Sequence, residues 1–279
     1  MENESKTPLE KPVTDHKTVP MVLKKQELTT ADRRQLELHQ RQQSREEISR
    51  MVEPFKLDSG ELSAMRMLDA SAVNSELGNA VRSLRQQVLA KLGNRNGVIM
   101  VAGIVEDGGA SFVGRNLAAA LALDESRSSL LMDCDTDGGL EEGLKLVSPD
   151  LPGITDFLSD PRLSESDVIY PSGIARMRLV PRGTQNGFEG EQFSSVRMQE
   201  LLEATARRYP DRYLVLDVPP LSRSADAGML ARYCDLIILV VPYGRVMPAE
   251  IEQAIDTLGE DRILGIVFNR EPRIPRLRP

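Results

Sequence analysis

One segment of the sequence, residues 98–121, constrains the fold of this chain more than any other. It begins with an uninterrupted apolar run at 98–103, which is typical of a strand buried on both faces. A glycine-bearing turn follows, and Ser111 opens a stretch with the composition of a helix. A buried strand that leads through a Gly-rich turn into a helix is the arrangement of a phosphate-binding loop, in which backbone amides and the helix N-terminus hold an anion.

The turn lacks the lysine that such loops use to contact phosphate. Counting G-x-x-x-x-G from Gly103 places Gly109 at the lysine position, and counting back from Ser111 places Ala110 there. A hydrogen bond to a charged group contributes about 1.5–3 kcal/mol, so the loss of one such contact weakens binding by about one to two orders of magnitude. We therefore predict a phosphate site of reduced affinity. The residues predicted to surround it are Gly108, Gly109, Ala110, Ser111 and Phe112.

Strand-like apolar runs alternate with helix-like segments over the rest of the chain. The predicted strands are 97–103, 129–133, 177–181, 213–217, 236–241 and 263–268, and the predicted helices are 75–92, 111–123, 194–208, 225–233 and 248–258. This alternation predicts an α/β fold with a mostly parallel, doubly wound sheet that has helices on both faces. In a sheet of this kind the ligand lies at the carboxyl ends of the strands.

Polar side chains end three of the predicted strands. Asp133 and Asp135 follow the second strand, Asp217 ends a later strand before two prolines, and Asn269 ends the last one. Carboxylates beside a phosphate site hold Mg²⁺, which prefers hard oxygen ligands, and a terminal amide offers both a donor and an acceptor to a purine edge. We therefore predict Asp133, Asp217 and Ser111 as metal ligands and Asn269 as a contact to the nucleotide base.

Composition excludes several classes of function. The formal net charge of −7 argues against a general nucleic-acid-binding protein. The longest apolar runs, such as 236–241, are far shorter than a membrane span, and the first residues lack the apolar core of a signal peptide. With only Cys134 and Cys234, neither a disulfide framework nor a Cys-rich zinc site is expected. We therefore expect a cytoplasmic protein with reduced thiols.

The two ends of the chain differ from its middle. Residues 1–70 are rich in polar residues and interrupted by prolines. They predict a largely disordered arm, in which a polar helix over Thr30–Met51 is one option. The arm is either a partner-binding tether or a plain disordered tail. Residues 71–270 form the predicted α/β domain. Residues 271–279 are a basic tail of prolines and arginines, which either touches an acidic partner or anionic lipid headgroups or stays solvated.

Taken in order, these motifs resemble those of the bacterial tyrosine kinases of capsule and exopolysaccharide assembly, within the MinD-like P-loop ATPases. The matching segments are 79–85, similar to the E-x-x-R-x-x-R oligomerisation helix; Asn116-Leu117-Ala118; Asp133-Cys134-Asp135; Gly183 with 191–198, similar to G…E-L-L-S-S-x-R-M; Asp217-Val218-Pro219-Pro220, similar to D-x-P-P; Ser224-Ala225-Asp226-Ala227; and 264–269. The resemblance covers about residues 75–269. It implies catalytic roles for Asp133, Asp135 and Asp217.

The chain departs from this family at positions that carry the family's chemistry. Ala110 stands where the family has its phosphate-contacting lysine, Phe112 where it has a second hydroxyl, and Val105 where the partitioning ATPases have their signature lysine. Arg115 lies one turn further along the predicted helix. We interpret it as a solvent-facing charge rather than as a substitute cation, because arginine and lysine are not interchangeable at such a position.

Two further departures concern assembly and substrate. Asn79 replaces the glutamate of the oligomerisation motif, so the ring-forming contact to Arg82 and Arg85 loses its charge pair. Residues 271–279 contain no tyrosine, whereas active members of the family carry a C-terminal tyrosine cluster that receives the phosphates. We therefore expect the substrate to be lost together with the lysine.

The resemblance and the departures together predict a non-catalytic or weakly active regulatory or scaffold subunit of an exopolysaccharide synthesis and export system. Its implied partner is a membrane polysaccharide co-polymerase, which would hold it at the inner membrane from the cytoplasmic side, and a homo-oligomer is also open. ATP or ADP with Mg²⁺ would bind weakly or not at all. Two alternatives stay open: an active tyrosine autokinase that recruits another cation, and a positioning ATPase of the ParA or MinD type.

Overall fold

The computed structural model describes residues 42, 45–46, 48–49, 51, 53–68, 75–93, 95–136, 150–185, 190–209 and 211–272. Most of the predicted arm and the tail residues 273–279 lie outside this description. No helix in the described ranges has the length and apolar character needed to cross a membrane.

Within the described part of the chain, seven strands form one sheet in the order β3-β4-β2-β5-β1-β6-β7. The strands are β1 Val98–Gly103, β2 Ser128–Asp133, β3 Tyr170–Pro171, β4 Met177–Val180, β5 Arg212–Asp217, β6 Leu236–Pro242 and β7 Ile263–Asn269. All neighbouring pairs are parallel except β3 and β4. The predicted mostly parallel sheet is therefore confirmed, and the six predicted strands fall within one or two residues of the observed ones.

Helices cover both faces of the sheet. They are α1 Ser59–Ala64, α2 Glu76–Leu92, α3 Ala110–Leu121, α4 Ile154–Ser159, α5 Val196–Arg208, α6 Asp226–Ala231 and α7 Pro248–Leu258, with short 3₁₀ turns at Glu165–Asp167, Gly190–Ser194 and Glu260–Arg262. Helices α2 and α3 share one apolar core with the sheet, and α4 to α7 share the other. The chain is thus doubly wound, as predicted.

The continuous apolar runs explain why the central strands lie where they do. Each residue of β1, β2, β5 and β6 is buried, because a parallel strand with helices on both sides exposes neither face to water. Along β1, Ile99 and Val101 face the core under α2 and α3, whereas Met100 and Ala102 face the opposite core. Packing between two layers of helices fixes the position of these strands. The loops that follow them therefore meet at the carboxyl ends of the strands.

Three short elements in the described ranges, β3, α1 and α4, are not among the predicted ones. Strand β3 has two residues and pairs antiparallel with β4 at the edge of the sheet, and α4 has six residues. Elements this short carry too few residues to display a period of two or of 3.6. Helix α4 is nevertheless well fixed, because the Asp156 carboxylate accepts hydrogen bonds from Gly153 N, Thr184 N and the Gln185 amide.

Residues 53–68, which we call the strap, fall within the predicted arm but pack against the α/β domain. Glu53 pairs with Arg178 of β4 at 2.8 Å, and Leu57 N donates to Gly173 O at 3.0 Å. At the other end, Leu68 is buried and its amide donates to the Asn116 side chain in α3 at 2.7 Å. The strap therefore ties the arm to the helix that follows the Gly-rich loop, while the predicted boundary at residue 70 stays a prediction.

Candidate functional site

The three predicted acids lie together because β1, β5 and β2 are neighbours at the centre of the sheet. The register pairs Val101 with Asp217, and Asp217 with Asp133. Cys134 N extends the pairing by donating to Asp217 O at 2.8 Å, and Asp135 N donates to Asp133 Oδ1 at 3.1 Å. All three acids are buried. The structure thus brings the predicted carboxylates to the edge of the sheet from which the Gly-rich loop leaves β1.

The loop ends in a left-handed glycine and a free helix start. Gly109 has φ of 88° and caps α3, which begins at Ala110. The first intrahelical hydrogen bond runs from Val113 N to Gly109 O at 3.1 Å, so the amides of Ala110, Ser111 and Phe112 have no acceptor within the helix. Such amides, together with the helix dipole, form an anion cradle. Of the two lysine positions left open by the sequence, Ala110 matches this geometry, because it is the first helical residue.

Asn269, at the end of β7, secures the Gly-rich loop, although β6 separates β7 from β1 in the sheet. Its Nδ2 donates to Gly108 O at 2.9 Å, and a Cβ placed on Gly109 would overlap the same nitrogen. Asn269 O in turn accepts from Tyr243 N at 2.8 Å. The end of β7 therefore holds the Gly-rich loop in place, and the predicted contact from Asn269 to a nucleotide base stays a prediction.

Asp217 is a buried carboxylate whose charge is incompletely matched. Burial raises the pKa of Asp217 to about 7, an effect that the nearby Ser111 hydroxyl opposes and the Asp135 charge reinforces. Neither carboxylate oxygen of Asp217 accepts a hydrogen bond of normal distance and angle from the described residues. A group with this pKa is only partly ionised at neutral pH, so a cation that binds here would gain a carboxylate by displacing a proton.

The expectation that Arg115 faces solvent is wrong. The residue is half-buried, and its Nε lies out of contact with water and without a hydrogen bond among the described residues. Burial lowers the pKa of Arg115, and the negative charge of Asp217 partly restores it. The Arg115 guanidinium lies over the Phe112 ring, 5.6 Å from its centroid and one turn nearer the start of α3.

Two arginines that the sequence analysis missed also reach the site. Arg223, in the loop after β5, pairs through Nη2 with Asp135 Oδ1, and its Nη1 lies 3.7 Å from Glu106 Oε1. Arg245, in the loop after β6, donates to Glu106 O at 3.5 Å. Both arginines come from carboxyl-end loops, which is the signal that would have marked them as candidates.

The motif at 191–198 has a structural role in this fold. Phe193 and Met198 are fully buried. Arg197 donates to the carbonyl oxygens of Phe157, Asp160 and Leu163 at 2.5–2.8 Å, and its guanidinium stacks 4.0 Å from the Phe157 ring centroid. The arginine thus joins α5 to α4 and to the turn that follows α4.

The residues predicted for oligomerisation all lie on α2. Asn79 is exposed, and Arg82 and Arg85 are half-buried. Arg85 Nη2 lies 3.7 Å from Asp124 Oδ2 of the same chain. The role of these residues in assembly stays a prediction.

The described residues fit a magnesium nucleotide in part. The free amides of α3, the unmatched Asp217 carboxylate and the Ser111 hydroxyl suit phosphate and Mg²⁺. Across the described ranges, however, no three His, Cys, Asp or Glu side chains are grouped so that they would hold a metal ion by themselves. A magnesium ion here would therefore depend on oxygens from the nucleotide and from water.

Comparison with known proteins finds relatives among tyrosine kinases of bacteria. The chain is 28% identical over 193 residues to the tyrosine-protein kinase Wzc of Salmonella typhi, in an alignment that covers 68% of this chain and 26% of Wzc. It is 26% identical over 180 residues to the tyrosine-protein kinase CpsD of Streptococcus agalactiae, which covers 64% of this chain and 76% of CpsD. The chain thus spans about a quarter of Wzc. No protein-family model matches the sequence.

Solved structures of a kinase domain and of a MinD ATPase share the fold of this chain. The kinase domain of VpsO superposes with a TM-score of 0.61 at 25% identity, over 73% of this chain and all of that domain. The cell-division ATPase MinD of Pyrococcus furiosus superposes with a TM-score of 0.53 at 21% identity, over 64% of this chain and 74% of MinD, which bears on the fold alone. The expected resemblance to the bacterial tyrosine kinases and the expected MinD-like fold are both confirmed.

Proposed function

We propose that this relative of the bacterial tyrosine kinases is a non-catalytic or weakly active regulatory or scaffold subunit of a bacterial exopolysaccharide synthesis and export system. One observation carries the proposal: α3 starts at Ala110, so an uncharged methyl group occupies the position from which a lysine would contact phosphate. The anion cradle, the buried acids and the sheet that positions them are all present. The scaffold of a kinase domain is thus kept while the cation of its loop is absent.

The missing charge affects chemistry more than binding. Phosphoryl transfer depends on positioning and on stabilising the negative charge that builds up in the transition state. Loss of one charged hydrogen bond weakens ground-state binding by about one to two orders of magnitude. Because the transition state carries more charge at the transferred group, we expect the rate to fall further.

A nucleotide that binds here would have a structural or sensing role. Ser111, Asp133 and Asp217 would hold Mg²⁺ with help from phosphate oxygens, and Asn269 would lie near the base. The bound metal would supply positive charge to the phosphates. In its absence, the chain's own amides at the start of α3 orient an anion, while burial of the three acids keeps water from them.

The same resemblance supports a proposal for the partner and the location. A cytoplasmic subunit without catalytic power acts by docking, and the implied partner is a membrane polysaccharide co-polymerase that keeps it at the inner membrane. The strap supports this proposal, because Leu68 N and the Asn116 side chain connect the predicted arm to the helix of the phosphate loop. A partner that pulls on the arm would therefore act directly on the site.

Titration calorimetry with Mg-ATP, combined with co-purification from membranes that contain the co-polymerase, tests this proposal. We expect co-purification that survives Asp133→Asn, and no saturation of ATP binding in the low-micromolar range. Low-micromolar affinity would contradict the impaired site, and absence of the co-polymerase from the purified material would contradict the scaffold role.

The active autokinase remains a second candidate, because Arg223 and Arg115 bring positive charge to the site from outside the loop. Incubation with labelled ATP and immunoblotting for phosphotyrosine separates the two. A strong signal that Asp133→Asn abolishes favours the autokinase, whereas a signal no higher than that of Asp133→Asn favours the scaffold.

A further inference from the structure

We infer that Arg223 is the cation that contacts the phosphates of a nucleoside di- or triphosphate in this site, in place of the lysine that the loop lacks. The inference rests on the nucleotide site of the proposed function. It adds that the positive charge reaches the phosphates from the loop after β5. Arg223 can therefore contact phosphate although the Gly-rich loop has no lysine.

Backbone hydrogen bonds place Arg223 beside the Gly-rich loop. Leu221 N donates to Gly103 O and Ser222 N donates to Ile104 O, both at 2.9 Å. The loop after β5 is therefore hydrogen-bonded to the start of the Gly-rich loop. Arg223 N then donates a hydrogen bond to Pro220 O at 2.9 Å, which closes a turn and fixes the backbone of the arginine next to that loop. Its position is thus set by the same strand end that carries Asp217.

The contacts of the guanidinium divide it into a held side and a displaceable side. Nη2 pairs with Asp135, whose side chain is only 9% exposed, whereas Nη1 lies 3.7 Å from Glu106, whose side chain is 62% exposed. An exposed ion pair at this distance contributes little to stability. A phosphate group can therefore replace the Glu106 carboxylate at small cost, while the pair with Asp135 keeps the guanidinium in place.

The other two arginines suit this role less well. Arg115 is half-buried and acts on Asp217 from within the fold. Arg245 reaches only the backbone oxygen of Glu106, at 3.5 Å in an exposed contact. Arg223 pairs with the buried Asp135 while 26% of its side chain stays exposed, so it is both anchored and accessible to a ligand. Its planar fork of donors also matches the oxygens of a phosphate group.

Glu106 acts in this arrangement as an internal substitute for the ligand. Without nucleotide, its carboxylate takes the place beside Arg223 that a phosphate would take. The substitution explains why an acid is tolerated next to a phosphate cradle, and it predicts weak binding, since the nucleotide must displace Glu106 and then lie close to its negative charge. Removing that charge should strengthen binding, and the gain should depend on Arg223.

A double-mutant cycle on nucleotide affinity tests the inference. Calorimetry with Mg-ATP and Mg-ADP at fixed salt is applied to the wild type, Arg223→Gln, Glu106→Gln and the double variant, with Arg95→Gln as the control. Arg95 pairs with Asp235 at 2.7 Å beside the start of β6, at the opposite end of the strands. We expect Arg223→Gln to bind at least about tenfold more weakly, Glu106→Gln to bind more tightly, and Arg95→Gln to match the wild type.

The cycle also separates a contact from simple repulsion. If Arg223 binds phosphate, the gain from Glu106→Gln shrinks in the Arg223→Gln background, because the two residues are coupled. An equal gain in both backgrounds, or an affinity of Arg223→Gln within twofold of the wild type, overturns the inference. A wild type with no measurable binding at millimolar nucleotide also overturns it, yet leaves the non-catalytic scaffold standing.

Chemical protection in the wild type covers the case in which Arg223→Gln does not fold. Phenylglyoxal modifies accessible arginines, and mass spectrometry reports the modified positions. We expect Mg-ATP to slow the modification of Arg223 and to leave that of Arg95 unchanged. Equal rates at Arg223 with and without nucleotide contradict the inference.

Discussion

Replacing Ala110 by lysine places a positive charge at the end of the Gly-rich loop, where the proposed phosphate site lacks one. Ala110 is the first residue of α3 and is partly exposed, so a longer side chain has room to extend towards an anion held by the free amides of the first turn. A charged hydrogen bond contributes about 1.5–3 kcal/mol. We therefore expect the Ala110→Lys variant to bind Mg-ATP about one to two orders of magnitude more tightly than the wild type.

The same change carries a small cost in stability. A cation at a helix N-terminus opposes the helix dipole by about 0.3–1 kcal/mol, so the unliganded variant should unfold slightly more easily. The matched control is Ala110→Gln, which extends the side chain without adding charge. Calorimetry measures both affinities, and urea unfolding measures both stabilities.

Two results would refute the reasoning. Equal tightening by the glutamine and lysine variants would show that contact area, not charge, limits binding. No tightening by lysine, in a variant that keeps its fold, would show that the cradle at the start of α3 does not hold phosphate at all.

Three further predictions concern the residues that support the site. Burial raises the pKa of Asp217 to about 7, above its unfolded value near 3.9, so the folded state binds the extra proton and the unfolding free energy falls as the pH rises between about 4 and 7. Urea unfolding should therefore show Asp217→Asn to be more stable than the wild type at pH 8, by up to about 4 kcal/mol, and a wild-type slope that persists in the variant would exclude this cause. Arg197→Met leaves three carbonyl oxygens without their donor and should lower the unfolding free energy by about 2–4 kcal/mol. The control Arg162→Met removes an exposed ion pair and should leave the unfolding free energy nearly unchanged; equal losses in the two variants would contradict the structural role of Arg197. Gly109→Ala forces a Cβ onto Asn269 at positive φ, whereas its control Gly244→Ala also has positive φ but lies in open space. Thermal melting should therefore show a larger loss of stability for Gly109→Ala, by about 1–3 kcal/mol. Similar losses in the two variants would mean that the Asn269 side chain moves aside without cost.

Much of the fold was predictable because burial leaves a direct mark on sequence. The four central strands are apolar throughout, since helices lie on both sides of them. The same regularity predicted the meeting of Asp133, Asp135 and Asp217, because parallel strands place their carboxyl ends at one edge. Neither inference needed a contact between particular side chains.

The arginines of the site were not predictable in the same way. Arg223 meets Glu106 and Asp135 only because the loop after β5 hydrogen-bonds to the start of the phosphate loop. No local pattern records a contact between two loops that are distant in sequence. The prediction for Arg115 failed for a related reason: its place on the helix is visible in the sequence, but its burial and its nearness to the charge of Asp217 depend on the packing of α3 against the sheet.

The strap shows a third limit of sequence reasoning. Residues 53–68 lie next to a long polar stretch, and composition assigned them to the arm. The structure attaches them through Glu53 and Arg178 at one end and through Leu68 and Asn116 at the other. Such attachment depends on partners far along the chain, which a hydrophobic pattern within the segment does not reveal.

The rate at which the purified chain consumes ATP tests most directly whether the fold has kept its scaffold and lost its catalytic power. The rate is measured with Mg-ATP at millimolar concentration, with Asp133→Asn as the background. We expect the wild type to consume ATP no faster than this variant. Turnover near about 1 s⁻¹ or above, the range of working kinases, would contradict the proposed function.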